Sequence, residues 1–248
     1  MSKKAIIIGA SSGIGKELAY VLSTQGYTLG LAARRVSHLE DLKKTLPNEC
    51  FLHFMDIQKT HEATSILEQM IQVLDGVDLI ILSSGIGDIT SSRDWGHKLF
   101  NWDKEEAVLK TNVLGYTAIL QRGYQYFMQS KKKGHIVTIS SLASLFANPY
   151  NPAYSASKAF INRYVEGLIA HSKKNNLSIT FTNILPGFVN TKMAQGPKVF
   201  WKDSPQEAAK QIYQAIRKKK SFCVITKKWK IFYYLIKLLP NALIRKIV

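Results

Sequence analysis

Short runs of apolar residues alternate along the chain with stretches of helical periodicity, and this alternation limits the fold more than any other feature. Continuous apolar runs of this length are typical of buried parallel strands. The predicted strands are residues 5–8, 28–33, 51–55, 77–82, 135–139, 178–185 and 222–226. Helices between them connect parallel neighbours by right-handed crossovers. We therefore predict one α/β domain over residues 1–226, a doubly wound parallel sheet of about seven strands flanked by helices.

A glycine-rich turn follows the first predicted strand directly. Gly9-Ala10-Ser11-Ser12-Gly13-Ile14-Gly15 leads into a helical pattern that contains Leu18 and Leu22. Such a turn lets backbone N–H groups approach a pyrophosphate, and the helix N-terminus adds a favourable dipole. A plain tight turn is the alternative, but the position after the first strand favours a dinucleotide cofactor. The predicted cofactor contacts here are Gly9, Ser11, Ser12, Gly13, Ile14 and Gly15.

Two arginines, Arg34 and Arg35, end the second predicted strand. NAD binders of this architecture usually carry an acid here, which binds the ribose 2′-hydroxyl. This chain has no acid at this place, and a guanidinium can instead hold a 2′-phosphate. We therefore predict NADP(H) in preference to NAD(H), with at least one of the two arginines facing the cofactor. Asp56 follows the third strand at its carboxyl end, where ligands collect in such sheets.

Tyr154 and Lys158 stand four residues apart at the start of a predicted helix, with Ser141 upstream of them. Side chains at this spacing project from the same helix face. An ammonium beside a phenol favours the phenolate and lowers the phenol pKa from about 10, so that the phenol can exchange a proton during a reaction. The Ser141 hydroxyl could then hold a substrate oxygen. Taken alone, such a short motif is more often the start of an ordinary amphipathic helix.

The order of these motifs over residues 4–226 resembles that of the short-chain dehydrogenase/reductase family, which implies a Rossmann-type fold. The resemblance adds Asn112, within a helix predicted over 103–129, and a segment from Pro186 to Thr191. It implies that Asn112, Ser141, Tyr154 and Lys158 are the catalytic residues. The further cofactor contacts that it implies are Arg34, Arg35, Asp56, Ile57, Ser84, Gly85, Asn112, Tyr154, Lys158, Pro186, Gly187, Val189 and Thr191.

The resemblance also implies a reaction. A hydride passes from NADPH to a carbonyl carbon while Tyr154 protonates the oxygen, and alcohol oxidation is the reverse. Lys158 is expected to lower the Tyr154 pKa and to hold the ribose, and Ser141 to hydrogen-bond the substrate oxygen. Asn112, which has no evident task within its own helix, is expected to keep a water that relays protons to Lys158.

Two departures from the family pattern lie beside the glycine-rich turn. Residues 82–85 are Leu-Ser-Ser-Gly, where the family usually has Asn-Asn-Ala-Gly, and Ile8 stands where it usually has Thr. The glycine that permits close approach of a cofactor is kept. The amide and hydroxyl groups that would tie the neighbouring loops are missing, so different local hydrogen bonds are expected.

The last part of the chain is strongly basic. From Ala208 to Val248 there are eleven Lys or Arg and no Asp or Glu, within a net charge of +17. Residues 227–248 add aromatic and aliphatic side chains, which predicts a C-terminal helical extension rather than an independent domain. Such a segment suits contact with an anionic membrane surface or packing against the same or a partner subunit, and the two can coexist. Nucleic acid is not expected, because aliphatic residues interrupt the aromatic ones.

Cysteine use and hydropathy bear on location. Cys50 and Cys223 form no metal-ligand pair, so no metal is predicted, and a reducing interior is the natural setting. No apolar run reaches the about 20 residues of a membrane span, and the N-terminal run is too short for a signal peptide. We therefore predict a cytoplasmic protein, or one at the inner face of a membrane.

These features together predict an oxidoreductase that interconverts a hydrophobic carbonyl compound and its alcohol. Its substrate pocket is expected to be lined by residues 88–100, 142–149 and 191–204, and the resemblance implies a homodimer or homotetramer. The alternatives are a non-catalytic NADP(H)-binding sensor or scaffold on the same fold and a lipid reductase associated with a membrane surface. The sensor or scaffold predicts loss of Tyr154 or Lys158, and both are present.

Overall fold

Seven parallel strands form one sheet in the computed structural model, which describes residues 3–87, 101–149, 151–194 and 201–238. The strands are β1 (Lys4–Ile8), β2 (Thr28–Ala33), β3 (Cys50–Phe54), β4 (Leu79–Leu82), β5 (Gly134–Ile139), β6 (Ile179–Pro186) and β7 (Phe222–Ile225). Across the sheet they follow the order β3-β2-β1-β4-β5-β6-β7. Their ends lie within two residues of the predicted ones, and the predicted doubly wound parallel fold is confirmed.

The strand order reverses between β1 and β4. β1 pairs with β2 on one side and with β4 on the other, and β4 then pairs with β5. In open α/β sheets, the crevice at such a reversal, outside the carboxyl ends of the strands, is where ligands bind. The segments that follow β1, β4 and β5 leave the sheet at this edge, and they carry most of the predicted site residues.

Helices cover both faces of the sheet. In the described parts of the chain they are α1 (Gly13–Thr24), α2 (Val36–Lys43), α3 (Thr60–Val73), α4 (Trp102–Leu109), α5 (Tyr116–Ser130), α6 (Pro152–Lys174), α7 (Pro205–Arg217) and α8 (Lys227–Leu238). Helices α1, α2 and α7 share one apolar core, and α3, α5 and α6 share the other. Side chains of β1 alternate between the two, Ile7 in the first and Ile6 and Ile8 in the second, as the two-residue repeat of a strand requires.

The second helix differs from the prediction. A helix was expected over residues 39–46 with Pro47 ending it, but α2 begins three residues earlier and ends at Lys43. Leu39 and Leu42 are buried as its inner face. The helix ends because Thr45 closes a turn: both its N–H and its hydroxyl donate to the carbonyl of Leu42.

The long helix predicted over residues 103–129 is interrupted by a π-helical turn, Lys110–Gly115, between α4 and α5. Gly115 lies against the carbonyl oxygen of Ile57, and a β-carbon at this position would collide with it. Thr111 and Asn112 are buried within the turn. Single π turns inside α-helices are frequent at functional sites. Asn112 thus lies in a π turn, whereas the sequence predicted a continuous α-helix at this position.

The C-terminal helix α8 packs against its own chain. Trp229, Tyr233 and Ile236 are buried on its inner face. Trp229 and Tyr233 join Leu142 and Leu185 in a third apolar cluster, next to the carboxyl edge of the sheet. Packing against the same subunit, one of the alternatives open for this segment, is thus observed for one face of the helix. In the described parts of the chain no helix has the length and apolar content to cross a bilayer.

Candidate active site

The glycine-rich turn after β1 is packed so closely that two of its positions exclude any side chain. Gly9 has a φ of +91°, and a β-carbon on it would lie 2.6 Å from the Ser84 nitrogen at the end of β4. A β-carbon on Gly15 would collide with the carbonyl oxygen of Gly9. The Gly9 N–H donates to the carbonyl of Ala32 at 2.8 Å, which ties the turn to the end of β2. The turn is therefore fixed by main-chain contacts with both neighbouring strands.

The first turn of α1 is open to an anion. Ser12 occupies the N-cap position, but its side chain makes no capping hydrogen bond, and no acidic residue lies in the first helical turn. The uncapped N–H groups and the helix dipole favour a negatively charged group here. A β-carbon on Gly13 would lie 3.2 Å from the Thr191 Cγ2, so the segment after β6 reaches across to the same place. The arrangement fits a cofactor pyrophosphate.

Arg35 lies over the glycine-rich turn. Its Nη2 donates to the hydroxyl of Ser12 at 2.8 Å and to that of Ser11 at 3.1 Å. A guanidinium is thus held beside the end of β2, the position at which the sequence predicted a contact with a 2′-phosphate. Arg34 is exposed next to it. Asp56 follows β3 nearby, and its carboxylate accepts from the Gln58 N–H at 3.1 Å, which fixes the turn that carries it.

Tyr154 and Ser141 meet at the carboxyl edge of the sheet. The Asn151 side chain caps α6 by accepting from the Tyr154 N–H at 3.2 Å, and this cap fixes where the helix starts. The Ser141 hydroxyl lies beside the Tyr154 phenol. Burial raises the pKa of Tyr154, and the polar interaction with Ser141 opposes this rise. The structure therefore brings the predicted phenol and hydroxyl to the same point.

Lys158 is buried one helical turn after Tyr154. Its Nζ donates to the carbonyl of Ile139 at 3.1 Å and lies 5.7 Å from the centre of the Tyr154 ring. Burial lowers the pKa of Lys158 to about 8. The sequence predicted that Lys158 lowers the Tyr154 pKa. On balance the pKa of Tyr154 is raised, because the desolvation of a buried phenol outweighs the opposing contribution of Ser141.

Asn112 connects the segment after β4 to the helix of Tyr154. Its Oδ1 accepts from the Ile86 N–H at 2.9 Å, and its Nδ2 donates to the Ile86 carbonyl at 2.8 Å and to the Ser157 hydroxyl at 3.1 Å. The Ser157 hydroxyl in turn donates to the Tyr154 carbonyl at 2.7 Å. These bonds replace the loop-tying amides that are missing from residues 82–85. Asn112 thus acts on the position of α6 through contacts that the sequence did not reveal.

Gly85 and Gly87 lie directly against the side chains of Lys158 and Tyr154. A β-carbon on Gly85 would lie 3.3 Å from the Lys158 Nζ and 3.4 Å from the Asn112 Oδ1. One on Gly87 would lie 2.6 Å from the Tyr154 Cδ2. Gly85 was among the predicted cofactor contacts, and Gly87 was not. The only signal for Gly87 in the sequence was its place in the Gly85-Ile86-Gly87 repeat after the fourth strand.

Tyr116 is a second residue that sequence reasoning missed. Its hydroxyl donates to the Leu82 carbonyl at 2.9 Å and accepts from the Ile139 N–H at 3.0 Å. It therefore joins the carboxyl ends of β4 and β5, and its ring lies 5.8 Å from the Lys158 Nζ. Burial raises the pKa of Tyr116 far above the ordinary range, so it acts as a neutral structural hydroxyl.

A chain of polar side chains holds the turn that carries Ser141. Thr138 donates to Asn183, Asn183 donates to Asn162, and Asn162 donates to Ser144, with distances between 2.7 and 2.9 Å. The Ser144 hydroxyl then donates to the Ser141 carbonyl at 2.6 Å. Three elements, β5, β6 and α6, thereby position one serine. The members of this network are far apart in sequence, so the spacing of residues along the chain could not predict it.

The segment after β6 lies between the turn and α8. A β-carbon on Gly187 would collide with the Trp229 ring, and Val189 pairs with Asp203 in a short parallel bridge. Pro186 ends β6, so the predicted contacts of residues 186–191 stand at the same edge as Tyr154. Of the three stretches predicted to line the substrate pocket, 88–100 lies outside the described residues, as do 195–200 within the stretch 191–204.

This geometry agrees with a family that the sequence itself matches. A sequence model of the family described as short chain dehydrogenase matches residues 3–223. The chain belongs to this family. It is therefore an oxidoreductase of the short-chain dehydrogenase/reductase type, with a fold that binds a nicotinamide cofactor. Among the described residues, no cluster of three His, Cys, Asp or Glu could hold a metal ion.

Relatives of this short-chain dehydrogenase include one with a named activity. A farnesol dehydrogenase from Aedes aegypti is 32% identical over 199 residues, which cover 77% of this chain and 79% of that protein. A short-chain dehydrogenase/reductase from Burkholderia phymatum in complex with NAD has a TM-score of 0.83 at 19% identity, over 96% of this chain and 92% of that chain. An alcohol dehydrogenase from Thermococcus sibiricus complexed with 5-hydroxy-NADP has a TM-score of 0.75 at 22% identity, over 90% and 95%. These neighbours share the fold and differ in cofactor.

Proposed function

We propose that this short-chain dehydrogenase interconverts a carbonyl compound and its alcohol, with Tyr154 as the acid and base. The observation that carries the proposal is the buried Lys158 ammonium, held by the Ile139 carbonyl 5.7 Å from the centre of the Tyr154 ring, with the Ser141 hydroxyl beside the phenol. A proton donor and a second hydroxyl thus converge on one point at the carboxyl edge of the sheet. A substrate oxygen at that point accepts from both.

Each residue of the site has a separate role in the proposed reaction. NADPH supplies the hydride that reduces the carbonyl carbon. Tyr154 donates its proton to the oxygen that becomes the alcohol, and Ser141 orients this oxygen and stabilises the charge that develops on it. Lys158 holds a positive charge beside the phenol as the proton leaves, which compensates for the high pKa that burial gives to Tyr154. Asn112 and Ser157 keep α6 in the register that this geometry needs.

We propose NADP(H) as the preferred cofactor. Arg35 supports this choice, because its guanidinium is held by Ser11 and Ser12 at the end of β2, where a ribose 2′-phosphate would lie. Residues 32–37 include no Asp or Glu that could bind the ribose 2′-hydroxyl of NAD(H). The pyrophosphate would lie on the open N-terminus of α1, the adenine near Asp56 and Ile57, and the nicotinamide between Gly85 and the segment 186–191.

A hydrophobic substrate is the third part of the proposal. The turn after Ser141 begins with Leu142, which packs with Leu185, Trp229 and Tyr233 in one apolar cluster at the edge of the site. Phe188 lies edge-on to Trp229, with ring centres 5.2 Å apart. An apolar wall beside a few convergent polar groups is typical of a pocket for a lipophilic molecule. The relative named farnesol dehydrogenase acts on an apolar alcohol, which supports the same class here.

We also propose a homodimer or homotetramer in the cytoplasm. Exposed apolar side chains stand on the helices around the π turn and on α6: Trp102 is 64%, Leu114 61% and Phe160 41% exposed. A second copy of the chain would cover such surfaces. Cys50 and Cys223 are unpaired, which suits a reducing compartment. Sedimentation equilibrium of the full chain measures the assembly, and a monomer at micromolar concentration would contradict this part.

The experiment that tests the activity is a screen of NADPH oxidation. Aldehydes and ketones of graded chain length and ring content are offered to the full chain, with NADH in a parallel series. We expect turnover that increases with apolar size and is faster with NADPH. Turnover that is best with small charged substrates would contradict the substrate class, and faster turnover with NADH would contradict the cofactor. Binding of NADPH without turnover of any carbonyl compound or alcohol would favour the sensor alternative.

A further inference from the structure

Helix α8 has two apolar faces, and only one of them is covered. Trp229, Tyr233 and Ile236 point into the protein and are at most 7% exposed. On the opposite side, Ile231 is 68%, Tyr234 57%, Leu235 55% and Leu238 82% exposed. These four residues follow the i, i+3, i+4, i+7 spacing of a continuous helical stripe. We call this stripe, Ile231, Tyr234, Leu235 and Leu238, the outer stripe.

Lysines border the outer stripe on both sides. With about 100° of rotation per residue, Lys228 and Lys230 fall on opposite flanks of the stripe, and both are exposed. Such a helix, apolar along its centre and cationic along its borders, is typical of segments that lie in the plane of a lipid interface. The flanking ammonium groups reach lipid phosphates while their aliphatic stems stay on the apolar surface.

An aromatic side chain stands within the outer stripe itself. Tyr234 is 57% exposed, and tryptophan and tyrosine are enriched where protein meets the head-group region of a bilayer. Trp201, which is 48% exposed, lies next to the N-terminal end of α8, because its carbonyl accepts from the Trp229 indole N–H at 3.3 Å.

We propose that the outer stripe docks this protein on the surface of an anionic phospholipid bilayer. The charge of the chain supports lipid as the occupant, because residues 208–248 carry eleven Lys or Arg and no acid. Each basic residue near an anionic surface adds about 1 kcal/mol of attraction. In this orientation the inner face of α8, with Trp229 against Gly187, lies between the bilayer and the site.

A second copy of the chain is a poorer occupant of this surface. Two outer stripes facing each other would bring Lys228 and Lys230 of both copies together, and no acid from residues 208–248 could pair with them. Like charges across an interface oppose association, and charged residues are depleted in interface cores. An anionic lipid surface satisfies the lysines and the apolar stripe together.

Vesicle sedimentation of the full chain tests the proposal without any enzyme assay. The probes are phosphatidylcholine vesicles with and without phosphatidylglycerol, at low and at physiological salt. We expect binding to the anionic vesicles that weakens as salt is added, and little binding to phosphatidylcholine alone. Absence of binding to anionic vesicles at low salt would overturn the proposal and would leave the proposed oxidoreductase activity untouched.

Two pairs of variants locate the contact. Ile231→Glu with Leu235→Glu is expected to weaken vesicle binding roughly tenfold or more. Its control is Tyr20→Glu with Val73→Glu, which makes the same change in charge at two other apolar side chains that are each 49% exposed. Equal loss in both double variants would overturn the docking site, because only overall charge would then matter.

The lysine pair keeps the test informative if the glutamates disturb the fold. Lys228→Gln with Lys230→Gln is expected to lower binding and its salt dependence, compared with Lys173→Gln and Lys174→Gln at the exposed end of α6. Equal effects in the two pairs would contradict a local contact. Sedimentation equilibrium without lipid measures the oligomeric mass of the same variants. If Ile231→Glu with Leu235→Glu lowers this mass and leaves vesicle binding unchanged, the outer stripe binds a second copy of the chain. The proposal is then wrong.

Discussion

The glycine-rich turn and the Tyr154 centre are neighbouring parts of one site, yet they are built in opposite ways. The turn is shaped by main chain: Gly9 touches the end of β4, and Gly15 touches Gly9. The Tyr154 centre is shaped by side chains, with Asn112 and Ser157 linking the segment after β4 to α6. In the turn there is no space for a β-carbon, and around Tyr154 the hydrogen bonds set the geometry.

This difference determines what each part tolerates. A close-packed main chain cannot adjust to an added atom without moving two strand ends, so substitution in the turn is expected to cost stability and cofactor binding together. A hydrogen-bonded side chain can lose a polar atom while its ring or stem still fills the space. Substitution around Tyr154 is therefore expected to separate activity from folding.

The largest effect is expected for Tyr154→Phe. The ring still packs against Gly87, but the proton donor is gone. Loss of a general acid lowers kcat/KM by roughly 10²–10⁴-fold, about 4 kcal/mol at the middle of this range. The Kd for NADPH and the midpoint of thermal unfolding are expected to stay near those of the wild type. Steady-state kinetics and fluorescence titration with NADPH measure the two quantities.

Tyr164→Phe is the matched control, since Tyr164 stands on the same helix and stacks on Phe160 away from the site. We expect its kinetics to equal those of the wild type. Turnover of the Tyr154→Phe protein within a few-fold of wild type would refute the proposed role of Tyr154, because the variant keeps the ring and loses only the hydroxyl.

The next largest effect is expected for Lys158→Met, in the dependence of the unfolding free energy on pH. Burial lowers the Lys158 pKa from 10.5 to about 8. Between these pH values the unfolded chain binds more protons than the folded one, so this group makes the folded state more stable as the pH rises from 8 to 10.5. In Lys158→Met this contribution is absent. The unfolding free energy of the variant relative to the wild type is therefore expected to fall across this window by roughly 3 kcal/mol.

Urea unfolding of both proteins below pH 8 and near pH 10.5 measures this change. Lys173→Met provides the control, because the Lys173 side chain is exposed on the same helix and keeps its contact with water on folding. If the difference for Lys158→Met changes with pH no more than that for Lys173→Met, Lys158 titrates alike in the folded and unfolded chains.

The two parts also differ in how far the sequence could predict them. The turn lies within seven consecutive residues, and its spacing after an apolar strand was enough to identify it. The order of Ser141, Tyr154 and Lys158 was equally local, and the structure brings these three together. Local patterns succeed here because strand, turn and helix start follow one another in the chain.

The supports of the Tyr154 centre could not be predicted in the same way. Asn112 acts through Ile86 and Ser157, which are 26 and 45 residues away in sequence. The π turn that buries Asn112 depends on the approach of the Ile57 carbonyl to Gly115. The raised Tyr154 pKa follows from burial, which no spacing reveals. Likewise, the sequence predicted a basic, apolar helix over residues 227–248 without telling which of its faces packs against Gly187.

Gly15→Ala is the sharpest test of the main-chain part. Its β-carbon would collide with the Gly9 carbonyl, and overpacking of this kind costs roughly 1–3 kcal/mol. We expect a lower unfolding free energy and a weaker affinity for NADPH, because the first turn of α1 must move. Gly167→Ala on α6 is the control: its β-carbon meets nothing within 4 Å, and alanine within a helix is expected to stabilise by about 0.5–1 kcal/mol. Equal effects of the two variants in urea unfolding would contradict the close-packed turn.

The most selective effect is expected for Arg35→Gln. Arg35 adds a side chain to the main-chain turn, through its bonds to Ser11 and Ser12. A charged hydrogen bond to a phosphate contributes about 1.5–3 kcal/mol, so the Kd for NADPH is expected to rise roughly tenfold or more, whereas the Kd for NADH is expected to stay nearly unchanged. Arg217→Gln, an exposed arginine at the end of α7, removes the same charge away from the turn. If both cofactors weaken equally in Arg35→Gln, the guanidinium supports the turn itself and does not select the 2′-phosphate.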